Sequence, residues 1–440
     1  MESTLKMLET PEKERPPVIG VVAEYDPFHN GHALHLTKAG EALRYAGHSK
    51  RTKKAALVVV ALSSSFTQRG IPALADKMAR TRMALANGAS LVLELPFVHA
   101  CGAGQEFAHG SIGILAATRL VTHLAFGAED ASAFHQKDKS SFDDLLSILI
   151  QEPLSFKLNL RENLASGCSY PKALALALER ERPGSWKLVS SPNNALAVSY
   201  LAAIRRDGHS IVPIPVQREG PAHNDEASGP LASATAIRKA LSETWGRKED
   251  CADWINDAVP ASTMSILKEE HDKGRLCLGS GKMWDLLRGL LTRSTPDALR
   301  ACAGMDEGLE NLFLKHYTRA GSYEDFIGRC VCARYTRGRL QRQAVRCLAG
   351  LDRCTAEALS RSGPPYIRVL GYNELGRGLL RERKKLKGEA VPVITRLAAA
   401  KGAPAKTAAD TEFRASRLRE LLLPNPDLTR EEKLTPCVMP

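Results

Sequence analysis

The sequence predicts an α/β protein, with an N-terminal domain built on a doubly wound parallel sheet and a C-terminal domain that is mainly helical. Short apolar segments alternate with longer helical ones over residues 18–216, which is typical of parallel strands joined by crossover helices. Beyond Trp245 the pattern changes to one helix after another. The 440 residues are enough for two domains with substantial cores.

The elements of the first domain follow from this alternation. Strands are expected over residues 18–24, 55–62, 90–95, 123–126 and 211–216. Pro213 and Pro215 place the last strand at an edge of the sheet, because proline donates no ladder hydrogen bond. Helices are expected over residues 33–46, 72–89, 107–120, 141–164, 171–181 and 193–206.

The ends of the chain and the domain boundary are predicted from composition. Residues 1–17 are charged and lack the apolar centre of a signal peptide, so a flexible extension is expected. The boundary is placed near Lys248, which divides the chain into residues 18–248 and 249–423. Residues 424–440 are expected to form a loosely held tail.

The composition is that of a soluble globular protein, with 44% hydrophobic and 25% charged residues. No apolar stretch approaches the roughly 20 residues that span a bilayer, so no membrane partner and a cytoplasmic location are expected. The ten cysteines include no Cys-x-x-Cys pair, which indicates reduced thiols and no metal site. The net charge of +12 indicates a polyanionic partner, although solvated basic faces are common.

The most informative segment is residues 18–32, where an apolar strand passes through a Pro-containing turn into His29-Asn30-Gly31-His32. Gly31 permits close backbone approach, and a helix that begins here would offer free N–H groups to a phosphate. His29 and His32 could then donate to the α- and β-phosphates of a nucleotide. Isolated histidines are more often structural, but these follow the first strand, where open α/β sheets bind ligands. The segment predicts adenylyl-transfer chemistry.

A second phosphate-type motif lies about two hundred residues later. Ser233 can cap a helix on which Thr235 and Arg238 share one face, and both could reach phosphate oxygens. An ordinary capped helix with a surface arginine could have the same sequence. The pairing of this motif with the two histidines favours a nucleotidyltransferase site.

Further polar residues follow the other strands. Residues 63–70 are expected to rim the cleft, and Lys77 and Arg80 on the next helix could receive pyrophosphate or RNA, or be solvated. Glu94 ends a buried strand and is interpreted as an organiser of the cleft rather than a general base.

Two sites are expected to face the adenosine. Gly127 would let adenine or ribose lie against the backbone after the fourth strand. Asn193 and Asn194 open a helix, where an asparagine is usually a cap but can also read the Watson–Crick edge of adenine.

Two basic clusters lie in the C-terminal half and favour an RNA surface. Arg339, Arg342 and Arg346 share a helical face in a segment that contains no acid and also carries Arg334 and Arg337. The second cluster comprises Arg377, Arg381, Arg383, Lys384, Lys385 and Lys387.

Six motifs occur in a characteristic order: Glu-Tyr-Asp-Pro-Phe-His-Asn-Gly-His, Phe-Thr-Gln-Arg-Gly, Glu-Leu-Pro-Phe, Phe-Gly-Ala-Glu, Ser-Pro-Asn-Asn and Ser-Ala-Thr-Ala-Ile-Arg. With them, the segments 307–311, 334–336 and 369–373 make the chain resemble the bacterial tRNA(Met) cytidine acetate ligases of the HIGH nucleotidyltransferase superfamily. The resemblance extends from Val18 to about Lys401 and implies a Rossmann-like catalytic domain.

The resemblance implies activation of acetate with ATP to acetyl-adenylate, then transfer of acetyl to N4 of the wobble cytidine, position 34, of elongator tRNA(Met). His29 and His32 would be catalytic, and Mg²⁺ would accompany ATP without a dedicated acidic site. The residues then expected to contact ATP are Val22, Ala23, Glu24, Tyr25, Asp26, Pro27, Phe28, His29, Asn30, Gly31, His32, Ala33, Leu34, His35, Gly127, Asn193 and Arg238. Those expected to contact tRNA are Arg334, Arg337, Arg339, Arg342, Arg346, Arg377, Arg381 and Lys384.

The chain departs from the family pattern at two places in the expected cleft. Asp26 stands where the family usually has Asn, and Ser63-Ser64-Ser65 replaces Met-Ser-Gly. Two other functions are compatible with the same residues: an adenylyltransferase that acts on a small phosphate ester, and a catalytically silent tRNA-binding protein. The oligomeric state is left open.

Overall fold

A computed structural model describes residues 16–45, 56–134, 139–219, 228–247 and 251–440. Within these ranges an eight-stranded mixed sheet forms the centre, in the order β5-β4-β1-β2-β3-β6-β7, with β8 also paired to β6. The strands are β1 Val18–Ala23, β2 Leu57–Ser63, β3 Leu91–Leu95, β4 His123–Ala128, β5 Val212–Gln217, β6 Ile367–Tyr372, β7 Val393–Ile394 and β8 Cys437–Val438.

Helices cover the sheet and make up most of the C-terminal half. They are α1 Asn30–Tyr45, α2 Lys77–Ala86, α3 Phe97–Ala100, α4 Gly104–Ala117, α5 Lys139–Gln151, α6 Leu154–Ala165, α7 Tyr170–Glu181, α8 Trp186–Val189, α9 Pro192–Arg206, α10 Ala234–Thr244, α11 Asp253–Ala258, α12 Ala261–Asp272, α13 Gly281–Arg293, α14 Pro296–Arg300, α15 Leu309–His316, α16 Tyr323–Cys330, α17 Arg337–Leu348, α18 Arg353–Arg361, α19 Glu374–Lys385, α20 Ala403–Leu421 and α21 Arg430–Lys433.

The five N-terminal strands form the predicted parallel sheet. Strand β1 pairs in parallel with β2 on one side and β4 on the other, so that Val21 lies opposite both Val60 and Ala125. Strand β2 is buried along its whole length, as expected for a strand covered by helices on both faces. The proline-containing β5 pairs only with β4 among the described strands, and its predicted edge position is confirmed.

The C-terminal half adds strands that the sequence pattern did not predict. Strand β6 pairs antiparallel with β3, opposing Leu91 with Tyr372, and extends the catalytic sheet with a segment nearly three hundred residues further along the chain. Residues 424–440 contain α21 and β8, and β8 pairs with β6. The expectation of a loosely held tail is therefore corrected, because Glu431 in this segment is buried.

The hydrophobic core also joins the two halves. Phe66, Phe97 and Val98 from the N-terminal half pack in one cluster with buried side chains of the C-terminal helices, including Leu340 and Phe313. The domain boundary predicted near Lys248 lies outside the described residues, as does most of the predicted extension.

Prolines and capping residues explain where the helices begin and end. The helix expected over residues 141–164 is two helices, α5 and α6, divided before Pro153 as proline requires. The helix expected over residues 72–89 begins at Lys77, where Asp76 caps it by accepting the N–H of Ala79 at 2.7 Å. In the described part of the chain, no helix is both long and apolar enough to cross a membrane.

Candidate active site

A cavity of about 290 Å³ lies at the carboxyl ends of β1, β4 and β5, beside the first turns of α1, α9 and α10. This is the edge at which parallel α/β sheets bind ligands. Most residues expected to contact ATP line this cavity. Those that do are Val22, Ala23, Glu24, Tyr25, Asp26, His29, Gly31, His32, Leu34, His35, Gly127, Asn193 and Arg238.

His29 and His32 lie together at the start of α1, with their rings stacked and the ring centroids 3.8 Å apart. Nδ1 of His29 accepts the N–H of Gly31 at 3.0 Å, and Nδ1 of His32 accepts the N–H of His29 at 3.2 Å. A neutral imidazole that accepts at Nδ1 carries its proton on Nε2. Both histidines are thus set as Nε2–H donors, the form that can donate to phosphate oxygens.

Gly31 is required by this pair of rings. A Cβ added at Gly31 would lie 2.8 Å from Cε1 of His29, so any other residue would displace that histidine. Tyr25 and Phe28 pack against His32 with ring centroids 4.8 and 5.5 Å away. Tyr25 has a φ of 46°, which is uncommon for a residue with a side chain and marks the sharp turn after β1.

The remaining residues of the ATP set have other positions. Pro27, Phe28, Asn30 and Ala33 are not part of the cavity wall. The side chain of Asn30 donates to the carbonyl oxygens of Pro230 at 3.1 Å and Asp257 at 2.7 Å. Asn30 thereby holds the start of α1 against the loop that precedes α10 and against the last turn of α11.

Arg238 reaches the cavity from α10, which Ser233 caps as predicted by accepting the N–H of Ala236 at 3.1 Å. The Arg238 guanidinium forms an ion pair with Asp26 and donates to the carbonyl oxygen of Pro72 at 3.1 Å. Asp26 is buried and also accepts the N–H of Leu74 at 2.7 Å. The departure of Asp26 from the family pattern therefore supplies an anion to the arginine that was predicted to hold phosphate.

Glu24 occupies the turn directly after β1 and lines the cavity. Its Oε1 accepts the N–H of Gln68 at 2.6 Å, which ties the turn to the loop that follows β2. Burial raises the pKa of Glu24 above its usual value, and the hydrogen bond from Gln68 opposes this only in part. Thr67, Gln68 and Arg69 also line the cavity, so the predicted rim position of residues 63–70 holds for these three residues.

The opposite wall is formed by residues that sequence reasoning only partly identified. The side chain of Arg218 lies over Gly127, where an added Cβ would be 3.3 Å from Cγ of Arg218. Arg218 itself was not predicted, because nothing in its local sequence marks it. His35 lies near Arg218, and burial together with that positive charge lowers the pKa of His35 to about 4. His35 is therefore neutral at physiological pH.

Glu129 organises the two asparagines at the start of α9. Asn193 lines the cavity and donates from Nδ2 to Glu129 at 2.5 Å, whereas Asn194 is buried and accepts the N–H of Glu129 at 2.9 Å. Burial opposes ionisation of Glu129, but hydrogen bonds from Asn193 and Ser191 hold its pKa below the usual value. Of the two asparagines, Asn193 is the one placed to meet a nucleotide.

Lys77, Arg80 and Glu94 do not lie at the cleft surface. Arg80 is fully buried and donates to the carbonyl oxygens of Glu24, Ser64 and Ala75, so it joins the ends of β1 and β2 to α2. Burial lowers the pKa of Arg80 to about 10. The possibility that Lys77 and Arg80 receive pyrophosphate or RNA is therefore corrected, because both side chains are engaged inside the protein.

Lys77 and Glu94 belong to a buried charge cluster, defined here as Lys77, Glu94, Arg368, Glu412 and Glu431. Lys77 Nζ lies 2.5 Å from Glu94, 2.8 Å from Glu412 and 3.1 Å from Glu431. Arg368 pairs with Glu94 and Glu431. Glu94 was interpreted as an organiser of the cleft, but it does not line the cavity. The contacts of the cluster instead join α2 and β3 to three C-terminal elements.

The prediction that the arginines of α17 form an open phosphate-binding face is also corrected. Arg346 is buried, donates to the carbonyl oxygen of Cys101 at 3.0 Å and pairs with Glu106 at 2.6 Å. Arg342 donates to the carbonyl oxygen of Gln68 at 3.1 Å. An acidic residue from another part of the chain also lies next to this helix, because Glu307 is 3.2 Å from Arg339.

Arg334 and Arg337 are paired in the same way, and the second basic cluster is more open. Arg334 lies 3.6 Å from Glu307, and Arg337 lies 2.6 Å from Glu324. On α19, the residues Arg377, Arg381 and Lys384 are exposed and spaced so that they form one stripe along the helix. We call these three residues the α19 stripe. Arg377 within it pairs with Glu374.

Residues that could hold Mg²⁺ by themselves are not grouped at the site. Within the described ranges, no cluster of three or more His, Cys, Asp or Glu side chains could bind a metal ion. Asp26 is engaged by Arg238 and Glu129 by Asn193. Any metal would therefore depend on the phosphates of ATP for most of its ligands.

The sheet, the histidine pair at its carboxyl edge and the arginine on α10 define a nucleotidyltransferase. The family model described as HIGH Nucleotidyl Transferase matches residues 17–433. The sequence relatives narrow this class. The tRNA(Met) cytidine acetate ligase of Acetivibrio thermocellus is 36% identical over 385 residues, 86% of this chain and 88% of the relative. The one from Lysinibacillus sphaericus is 34% identical over 88% of this chain and 90% of its own length.

Solved structures agree with the sequence relatives. The crystal structure of Thermotoga maritima TmcAL, without ligand, superposes with a TM-score of 0.84 at 29% identity, covering 96% of this chain and 99% of that one. The same protein bound with alpha-thio ATP gives a TM-score of 0.81 at 28% identity. The chain belongs to the tRNA(Met) cytidine acetate ligase family of the HIGH nucleotidyl transferases. The resemblance seen in the motifs is confirmed.

Proposed function

We propose that the protein is an ATP-dependent acetate ligase that forms acetyl-adenylate and transfers the acetyl group to N4 of cytidine 34 in elongator tRNA(Met). The observation that carries the proposal is the stacked pair His29 and His32, held as Nε2–H donors in the cavity. Relatives that match this chain over most of its length carry that ligase name. The thio-ATP complex of the Thermotoga protein supports ATP as the nucleotide.

In the first step an acetate oxygen attacks the α-phosphorus of ATP and pyrophosphate leaves. Negative charge builds on the α-phosphate oxygens in the transition state, where the two imidazole donors act. Arg238 would hold phosphate oxygens in exchange for Asp26, its partner in the free protein. The ATP contacts that we propose are the cavity-lining members of the set predicted from the sequence.

We propose that residues 18–248 carry the ATP and acetate chemistry and that residues 249–423 hold the tRNA, chiefly through the α19 stripe. Asn373, the cap of α19, donates from its backbone N–H to the carbonyl oxygen of Ser90, just before β3 begins. Helix α19 therefore starts at the amino edge of the parallel strands, opposite the cavity. The stripe would bind phosphates of the tRNA body while cytidine 34 enters the cavity.

The test is nucleoside mass spectrometry of elongator tRNA(Met) after incubation with ATP and isotopically labelled acetate. Labelled N4-acetylcytidine is expected, and a transcript with uridine at position 34 is the control because it lacks the N4 amine. Acetate-dependent cleavage of ATP without label in tRNA would contradict the transfer step. No ATP cleavage would favour a silent tRNA-binding protein, and cleavage that depends only on a phosphate ester would favour the other adenylyltransferase. We place the activity in the cytoplasm, with its ATP and tRNA.

A further inference from the structure

Acetyl transfer needs a group that accepts a proton from the cytidine amine. Three histidines line the cavity, and none is well suited. His29 and His32 each accept a backbone N–H at Nδ1 and carry their proton on Nε2. His35 is a weak base, because burial and the charge of Arg218 lower its pKa to about 4. Two of the carboxylates that line the cavity are already in ion pairs: Asp26 with Arg238, and Glu219 with Lys38. Among the described cavity residues, Glu24 is the carboxylate in no ion pair.

Glu24 also lies on the appropriate side of the expected nucleotide. Strand β1 lies between β4 and β2 in the sheet. Gly127 and Asn193 form the wall on the β4 side, whereas Glu24 is tied to the loop after β2 through the N–H of Gln68. If adenosine lies against Gly127 and Asn193, the acyl group and the incoming amine lie toward β2, where Glu24 is.

We propose that Glu24 is the catalytic base of acetyl transfer, an inference that rests on the proposed function. The N4 lone pair attacks the acetyl carbonyl carbon, the new C–N bond forms and the bond from that carbon to the AMP oxygen breaks. AMP leaves with the electron pair of that bond. The surplus N4 proton passes to the Glu24 carboxylate and from there to water.

The surroundings of Glu24 favour this role. Burial favours the protonated form and makes the carboxylate a stronger base than an exposed one. The hydrogen bond from Gln68 occupies Oε1 and orients the group. A half-buried carboxylate at this position would also repel a phosphate-ester acceptor, which carries more negative charge than acetate.

The experiment separates the two half-reactions in Glu24→Gln, whose amide oxygen can still accept the Gln68 N–H. Acetate-dependent ATP–pyrophosphate exchange reports the first step, and single-turnover transfer from synthetic acetyl-adenylate to tRNA(Met) reports the second. We expect transfer to fall at least about a hundredfold more than exchange, the scale of losing a general base. The wild-type transfer rate should fall at acidic pH, and this acidic limb should vanish in Glu24→Gln but persist in Glu24→Asp at a lower rate.

Glu41→Gln, which changes an exposed carboxylate on α1, is the matched control and should leave both rates and the pH profile unaltered. Equal losses in the two half-reactions would overturn the inference and make Glu24 a structural residue. Transfer at the wild-type rate in Glu24→Gln would overturn it as well. If the wild-type protein performs neither half-reaction, the proposed function is wrong, and so is the inference that rests on it.

Discussion

At the scale of single residues, the site depends on contacts within one turn of helix. The Nδ1 atoms of His29 and His32 are bound by N–H groups two and three residues away in the chain. Such contacts require only the local sequence His-Asn-Gly-His and the start of a helix. The hydrogen bonds that place the proton of both rings on Nε2 are therefore local ones.

The first prediction concerns His32→Asn. The asparagine oxygen can still accept the N–H of His29, but its amide nitrogen is too close to the backbone to donate from the position of Nε2. We expect acetate-dependent ATP–pyrophosphate exchange to fall about a hundredfold or more, the scale of losing one oriented transition-state donor. His209→Ala, in the turn after α9, is the control. Wild-type exchange in His32→Asn would remove this residue from catalysis.

The second prediction concerns the Asp26–Arg238 ion pair. In Asp26→Asn, the amide oxygen can still accept the Leu74 N–H, but the anion that competes with phosphate for Arg238 is lost. We expect ATP to bind about threefold to tenfold more tightly, with a steeper dependence on salt. Calorimetric titration with ATP across a salt series measures both. Weaker binding would mean that Asp26 positions Arg238 rather than competing for it.

Sequence reasoning found the site residues that lie in short motifs, and it missed a residue and an ion pair that depend on distant parts of the chain. His29, His32 and the Ser233 cap follow from short motifs. Arg218 was missed, because its position over Gly127 depends on the pairing of β4 with β5, ninety residues apart. The ion pair of Asp26 likewise depends on a partner more than two hundred residues away.

At the scale of elements, α17 and α19 show that the same basic spacing can have opposite uses. Helix α17 is held in the core by Leu340, Ala344 and Val345, and its Arg342 and Arg346 turn toward the N-terminal half. On α19, Arg377, Arg381, Lys384 and Lys385 are exposed, whereas Arg383 turns inward to the carbonyl oxygens of Ala117 and Val391. Charge patterning alone could not separate the two, because the face that becomes buried is decided by packing.

The third prediction is that Arg346→Ala destabilises the protein. Its removal leaves the carbonyl oxygen of Cys101 and the carboxylate of Glu106 without their donor. We expect a loss of about 3 kcal/mol in the free energy of unfolding, measured by chemical denaturation. Arg337→Ala breaks an exposed pair with Glu324 and should cost less than about 1 kcal/mol. Equal effects of the two variants would contradict the structural role of Arg346.

The fourth prediction concerns the α19 stripe. Replacing Arg381 and Lys384 with Ala should weaken tRNA binding and reduce its salt dependence by about one unit of slope for each lost phosphate contact. Acetate-dependent exchange should persist, because neither residue lines the cavity. The double variant Arg361→Ala and Lys406→Ala, which changes exposed residues on α18 and α20, is the charge-matched control. An unaltered salt slope in the double variant would show that the stripe does not contact tRNA.

At the scale of the whole molecule, the buried charge cluster joins segments that the sequence keeps far apart. Lys77 and Glu94 come from the catalytic half, and Arg368, Glu412 and Glu431 from the C-terminal half. The cluster explains why residues 424–440 are held and why the two halves share a sheet. It could not be predicted from the sequence, since each member alone is an ordinary charged residue and only the tertiary fold buries them together.

The cluster has three carboxylates and two cations, so one negative charge is in excess. Burial and the charge of Glu94 raise the pKa of Glu412 from 4.5 to about 7. A carboxyl with a higher pKa in the folded state binds its proton more tightly there than in the unfolded chain. Its stabilising contribution is complete below pH 4.5 and is lost as the pH rises through about 7.

The fifth prediction follows from the direction of this pKa shift. Glu412→Gln resembles the protonated carboxyl at every pH and has no proton to lose. We expect the stability of the wild-type protein relative to Glu412→Gln to fall by on the order of 3 kcal/mol as the pH rises from 4.5 to 7 and to stay level above that. Chemical denaturation at a series of pH values measures the difference, with the exposed Asp410→Asn on the same helix as control. Parallel stability curves for wild type and Glu412→Gln would mean that Glu412 stays ionised and that the cluster releases its excess charge elsewhere.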